Sequence, residues 1–127
     1  MRPSLAPLIA VAAVLVVAAP ATGKGRPERF RTPSGQVVCA YAAGKQSLIR
    51  CDLLFLDHRA ALLQSGGRPR VTPFTAPVGN LHARVLRYGT SRAFGRFTCT
   101  SRTTGLTCRD RRSGHGFEVS RQRQRLF

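Results

Sequence analysis

The stretch GRFTCTSRTTGLTCRD, Gly95–Asp110, decides how this chain is read. Two short runs, Arg96–Arg102 and Leu106–Asp110, flank Thr103-Thr104-Gly105. Alternation at period two marks half-buried strands, and a glycine between them suits the positive φ of a tight hairpin turn. Setting Cys99 opposite Cys108 also sets Ser101 opposite Leu106 and Phe97 opposite Asp110. Directly opposed residues of an antiparallel pair have Cα atoms roughly 4.5–5.5 Å apart, within reach of a disulfide. The stretch therefore predicts a disulfide-bridged hairpin.

The same device is predicted upstream. QVVCAYA, Gln36–Ala42, and SLIRCDL, Ser47–Leu53, are strand-like runs separated by Gly44-Lys45-Gln46. With Cys39 opposite Cys51, Tyr41 falls opposite Ile49 and Val37 opposite Leu53, so all six share one sheet face. Four cysteines formally allow three connectivities, and sequence alone does not choose among them. Both stretches run Gly, Cys, turn, an apolar residue two before the second Cys, then Asp. So short a likeness is a weak sign of duplication, because hairpin chemistry converges on it too.

Between and around the hairpins the signals are softer. In LLFLDHRAALLQSGG, Leu56, Ala60 and Leu63 fall on one helical stripe and Gly66-Gly67 reads as a stop, which predicts a short helix over Asp57–Gln64 with Asp57 as N-cap. A continued strand through Leu56 is the alternative reading. Arg68–Thr75 contains two prolines and is at most an edge strand. Leu81–Tyr88 is expected to be a strand with Val85 inward and Arg84 and Arg87 outward, and Phe117–Arg121 another with Phe117 and Val119 on one face. The expected fold is mainly β: a small antiparallel sheet or two-sheet domain of disulfide-bridged hairpins with one short helix.

The chain begins with a basic Arg2, an apolar run over Leu8–Ala19 and a small-residue site at Ala19-Pro20-Ala21. This is the layout of a secretory signal peptide, and the run is short of the roughly 20 residues a membrane span needs. Residues 1–21 are read as the signal peptide, 22–34 as a flexible lead-in and 35–127 as one disulfide-stabilised β domain. Export also suits the cysteines, since disulfides persist in oxidising compartments and small exported domains rely on them. The expected location is outside the cell or at its envelope.

Twenty-one Lys and Arg stand against five Asp and Glu, a formal net charge of +16. Only Lys24 and Lys45 are lysine. Such a charge attracts polyanions, although an Ala-, Gly-, Pro- and Arg-rich chain is equally what a GC-rich genome encodes. Arg121, Arg123 and Arg125 alternate with glutamines, so an extended chain points all three the same way. With Arg109, Arg111 and Arg112 they are the candidate binding residues for an anionic polymer or anionic membrane surface. His115, between Gly114 and Gly116, joins them as an imidazole that close backbone approach could expose to a ligand.

The segments TPSGQVVCAY, IRCDL, RVLRYGTSRAFGRFTCTSRTTGLTCR and SGHGFEVSRQRQRLF resemble a family of small secreted proteins, mainly of high-GC Gram-positive bacteria, classed as a domain of unknown function. The resemblance implies export and a compact cysteine-bridged domain, and it brings no established activity. Many members of that family carry further cysteines in the middle region, whereas this chain has none between Cys51 and Cys99.

The function these features favour is a secreted basic interaction module binding anionic envelope polymers. The alternatives are a small secreted hydrolase acting on a polyanion such as nucleic acid, or a cationic antimicrobial protein. For hydrolysis, His58 or Glu118 with His115 offers general acid and base types, but their spacing fits no catalytic motif, and no base is placed near Ser120. No catalytic residue is assigned, no cofactor is expected and no metal-ligand spacing occurs. With few aromatics to stack on bases, sequence-specific nucleic-acid reading is not expected.

Overall fold

The computed structural model describes residues 2–14, 27–80 and 82–127. Among the described residues eleven strands are present: β1 Glu28–Arg31, β2 Val37–Ala42, β3 Leu48–Leu53, β4 Arg59–Gln64, β5 Arg70–Pro73, β6 Arg84–Val85, β7 Thr90–Phe94, β8 Phe97–Arg102, β9 Gly105–Asp110, β10 Gly116–Val119 and β11 Gln124–Leu126. They form a six-stranded sheet, β5-β4-β3-β2-β1-β6, and a five-stranded sheet, β11-β10-β9-β8-β7. Every neighbouring pair is antiparallel except β1 with β6.

Both predicted hairpins form in the expected register. Cys39 lies opposite Cys51, with Tyr41 opposite Ile49 and Val37 opposite Leu53. Cys99 lies opposite Cys108, with Ser101 opposite Leu106 and Phe97 opposite Asp110. The disulfides Cys39–Cys51 and Cys99–Cys108 join Cα atoms 4.0 and 4.1 Å apart. All four cysteines are fully buried and belong to one core with the inward residues of both sheets. Phe30 stacks on Phe94 with ring centroids 4.8 Å apart, and Tyr41 meets Phe97 edge-on at 6.1 Å. Complete burial of an aromatic side chain contributes about 1.5–3 kcal/mol, so Phe30, Phe94, Phe97 and Phe117 form the apolar heart of the domain.

The expected helix over Asp57–Gln64 is a strand. Arg59–Gln64 pairs along the whole of β3, from Leu53 opposite Arg59 to Leu48 opposite Gln64. The edge of β3 offers partners to half of this segment's backbone groups and β5 pairs with most of the rest, and this tertiary pairing overrides the modest helix propensity of Ala and Leu. The helical stripe dissolves: Leu56 sits in the β3–β4 turn, Ala61 and Leu63 face the core, and Ala60 faces the other way beside Asp52. Gly66 and Gly67 form the β4–β5 turn, and Asp57 is exposed, 3.3 Å from His58 Nε2. Among the described residues no helix occurs.

Two further expectations change. The lead-in assigned to 22–34 contains β1, because Phe30, its one large apolar residue, packs opposite Cys39 and beneath Phe94. The strand expected over Leu81–Tyr88 shrinks to β6, where Val85 is 43% exposed beside Arg31 and Leu86 is the buried anchor. Leu81 and the expected cleavage site after Ala21 lie outside the described residues. Arg70–Pro73 is the predicted edge strand, and Phe117 and Val119 are buried on one face of β10.

Residues 74–80 cross the outer face of the six-stranded sheet, from β5 at one edge toward β6 at the other. Asp52 holds them: its carboxylate accepts the Val78 N–H at 2.7 Å, while Arg50 donates to the Ala76 carbonyl at 2.6 Å. The Arg50 guanidinium also covers the Phe74 ring at 4.8 Å. This cover buries Asp52, Val38 and Ala60, which alternation aims away from the core.

Candidate functional site

Reversal of the chain at each antiparallel hairpin brings the β1–β2, β3–β4, β8–β9 and β10–β11 turns, with the β6–β7 connection, to the same end of the sandwich. Between them lies a cleft of about 270 Å³. Its floor is apolar, made by Val37, Leu106 and Val119, and Phe55 and Tyr88 stand beside it. Ser101, opposite Leu106 in the ladder, is fully buried beneath this end, and its hydroxyl has no partner among the described residues.

The polar groups of the cleft divide into two sets. Thr32, Ser34 and Ser120 are committed to their own turns: Thr32 Oγ1 bonds Ser34 Oγ and the Val37 N–H, and Ser120 Oγ accepts the Arg123 N–H. Arg102, Arg121, Gln36, Gln122, Thr103 and Tyr88 line the same cleft, and their side chains make no hydrogen bond among the described residues. No carboxylate lines it.

At the opposite end sits Asp110, fully buried. Burial favours its neutral form, but four partners outweigh this. The Arg96 guanidinium engages both carboxylate oxygens at 2.8 Å, and the N–H groups of Gly66, Arg112 and Ser113 donate at 3.1, 2.9 and 3.4 Å. Together they hold the Asp110 carboxyl well below the usual carboxylate range. Asp110 thus fastens the β4–β5 turn to the second hairpin, an architectural role.

His115 belongs to this end. Its backbone carbonyl accepts the Asp110 N–H and its own N–H bonds Ser113 Oγ. The flanking glycines have backbone reasons: Gly114 has φ +79°, and a Cβ on Gly116 would collide with the Cys108 carbonyl and the Phe127 ring. Arg109, Arg111 and Arg112 are exposed around the same end, with Arg111 bonded to the Gly95 carbonyl. Arg123 and Arg125 converge instead on Glu118 at 3.7 and 3.2 Å, and Arg125 covers the Phe127 ring. Arg121 lies at the cleft, at the far end of the sandwich. The structure therefore divides the seven sequence-nominated residues among three places. His58, in the β3–β4 turn, His115 and Glu118 are likewise apart.

A second basic concavity, about 330 Å³, opens along the side where β1 and β6 approach β7. Arg29, Arg84, Arg92 and His82 line it with Glu28 and Pro27. Arg92 reaches Glu28 at 3.4 Å, and the Arg29 Nε is buried without a partner among the described residues. Sequence reading missed this cluster, because its members lie on strands far apart in the chain. Among the described residues no group of three His, Cys, Asp or Glu is placed to hold a metal ion.

Fold and surface define a class: a small two-sheet β domain, closed by one disulfide in each sheet and presenting basic concavities at one end and along one side. The chain belongs to the family described as "Family of unknown function (DUF6636)", which matches residues 61–127, from β4 through the whole second hairpin to the last strand. No curated protein and no solved structure matches the chain. The two disulfides are consistent with an exported protein.

Proposed function

We propose that this protein is an exported, non-enzymatic interaction module that binds anionic polymer at the cell envelope. The carrying observation is the fate of its five carboxylates. Asp52 and Asp110 are buried in ion pairs with Arg50 and Arg96, Glu28 and Glu118 pair with arginines at the surface, and Asp57 lies beside His58. The exposed arginines therefore face solvent with almost no free negative charge to neutralise them. The side concavity, with Arg29, Arg84 and Arg92 against the single Glu28, concentrates that excess. Arginine suits the task because its planar fork of donors matches phosphate and carboxylate.

The test is retention of the mature protein on immobilised polyphosphate and polyuronate across a salt series. Binding by charge predicts a linear fall of log affinity with log salt and release by about half-molar salt, where screening acts within a few Å. Arg84→Ala lowers the slope, and His115→Ala leaves it unchanged. Failure to bind polyphosphate, polyuronate, nucleic acid and anionic vesicles at low salt would refute the proposal.

A further inference from the structure

The end cleft differs in chemistry from the rest of the basic surface. A polymer-tracking surface needs a shallow row of cations. Here two guanidinium groups, Arg102 and Arg121, sit with an apolar floor of Val37, Leu106 and Val119 and the rings of Phe55 and Tyr88. We infer that the cleft is a binding site for a small amphipathic anion, an apolar body carrying one carboxylate or phosphate. The inference stands apart from polymer binding, since it uses burial of an apolar group that a polyanion backbone does not have.

Three observations carry it. First, the charge is unbalanced: both arginines are exposed, and among the described residues neither has a carboxylate partner and no acidic residue lines the site. Second, the hydroxyls that only shape the turns are already bonded there, whereas Gln36, Gln122, Thr103 and Tyr88 retain their hydrogen-bonding capacity. Third, the size suits a small body. At protein packing density, 270 Å³ accepts about ten non-hydrogen atoms, the bulk of an eight-carbon carboxylate. Tyr88, 45% exposed, leaves its ring face available to cover the apolar body. The floor residues are themselves core residues, so the site is shaped in advance of any ligand.

The test uses the mature protein with octanoate, hexyl phosphate, octanol, acetate and inorganic phosphate, followed by NMR and calorimetry. Octanoate or hexyl phosphate should shift the resonances of Leu106, Val119 and Tyr88, and the stronger of the two identifies the head group. Octanol, acetate and phosphate alone should bind at least tenfold more weakly, since each lacks half of the recognition. The Arg102→Ala/Arg121→Ala pair should lose tenfold or more in affinity with unchanged thermal stability, and Tyr88→Ala several-fold. Arg68→Ala, which removes one exposed charge at the other end, should leave binding unchanged.

Absence of binding by both amphiphiles, equal binding of octanol, equal binding of the simple anions, or equal loss in Arg68→Ala would each overturn the assignment. A polymer-retention failure with intact octanoate binding would refute the polymer reading alone. Loss of octanoate binding with intact retention would refute the cleft alone.

Discussion

In the first cystine hairpin, β2–β3, the disulfide joins residues 12 apart; in the second, β8–β9, it joins residues 9 apart. Both bridges lie flat across a ladder and face the same core. Each hairpin also buries an aspartate near its second cysteine, and here the two diverge. Asp52 points out of the sandwich and takes hold of Val78, 26 residues away, with Arg50 beside it. Asp110 sits at the end of the core and takes hold of Gly66, 44 residues away, with Arg96 across it and two further N–H groups from its own turn. The covalent staples are thus local and the carboxylates are the long-range fasteners. Loop closure over so few residues contributes about 2.5–3 kcal/mol per disulfide in the chain-entropy account. Removing one partner from a buried ion pair costs about 3–5 kcal/mol where the other charge stays buried, and Arg50 and Arg96, 27% and 24% exposed, put these two pairs toward the lower end.

The largest effect is therefore expected at Asp110→Ala, a loss of about 3–5 kcal/mol in chemical unfolding, since Arg96 and three N–H groups lose their acceptor. Asp52→Ala should cost about 1 kcal/mol less, having fewer donors to strand. Hydrogen exchange separates the two: Asp52→Ala should expose the Val78 amide and leave Gly66 protected, and Asp110→Ala the reverse. Equal costs, or exposure of both turns by either change, would break the contrast between them.

Replacing either cystine by two alanines should cost about 2.5–3 kcal/mol, similar for both hairpins and no larger than the Asp110 effect. A cystine loss well above it would show that the covalent links dominate after all.

Acid sharpens the difference further. Asp110 has a depressed folded value, so its contribution is complete above the ordinary carboxylate value near 4 and declines as pH falls below it toward the folded value. The wild-type urea midpoint should drop from pH 5 to pH 2, and Asp110→Asn should flatten that decline. The smallest effect belongs to the surface: Arg125→Ala, which takes one of two arginines from Glu118, should move stability by no more than about 0.5 kcal/mol and leave the salt slope of polymer retention unchanged, whereas Arg84→Ala should lower that slope by about one.

Both hairpins were legible because three independent signals coincide in each: alternation, a turn with glycine, and cysteines at facing positions. β4 was not, since Ala60, Ala61, Leu62 and Leu63 satisfy a helical stripe as well as a strand, and only the open edge of β3 decides between them. β1 hides in an arginine- and proline-rich segment whose single clue is Phe30. The aspartates were visible in the resemblance between the hairpins, but nothing local names Val78 or Gly66 as their partners. The cleft is illegible for the same reason. It joins five connections spread from Thr32 to Gln122, and Arg102 looks like an ordinary hairpin-turn arginine until β10–β11 brings Arg121 to the same opening.

The brevity of the outermost strands carries a consequence for self-association. β5 has four residues and ends at Pro73, β6 has two and β11 has three, so each offers another chain little template to extend. β7, the longest edge at five residues, borders the concavity of Arg29, Arg84 and Arg92, where a second copy would bring the same charges against its own. A domain whose regular structure, among the described residues, is all strand thereby offers little edge for growth into a continuous sheet, and its excess of arginine would set like charges against each other between copies.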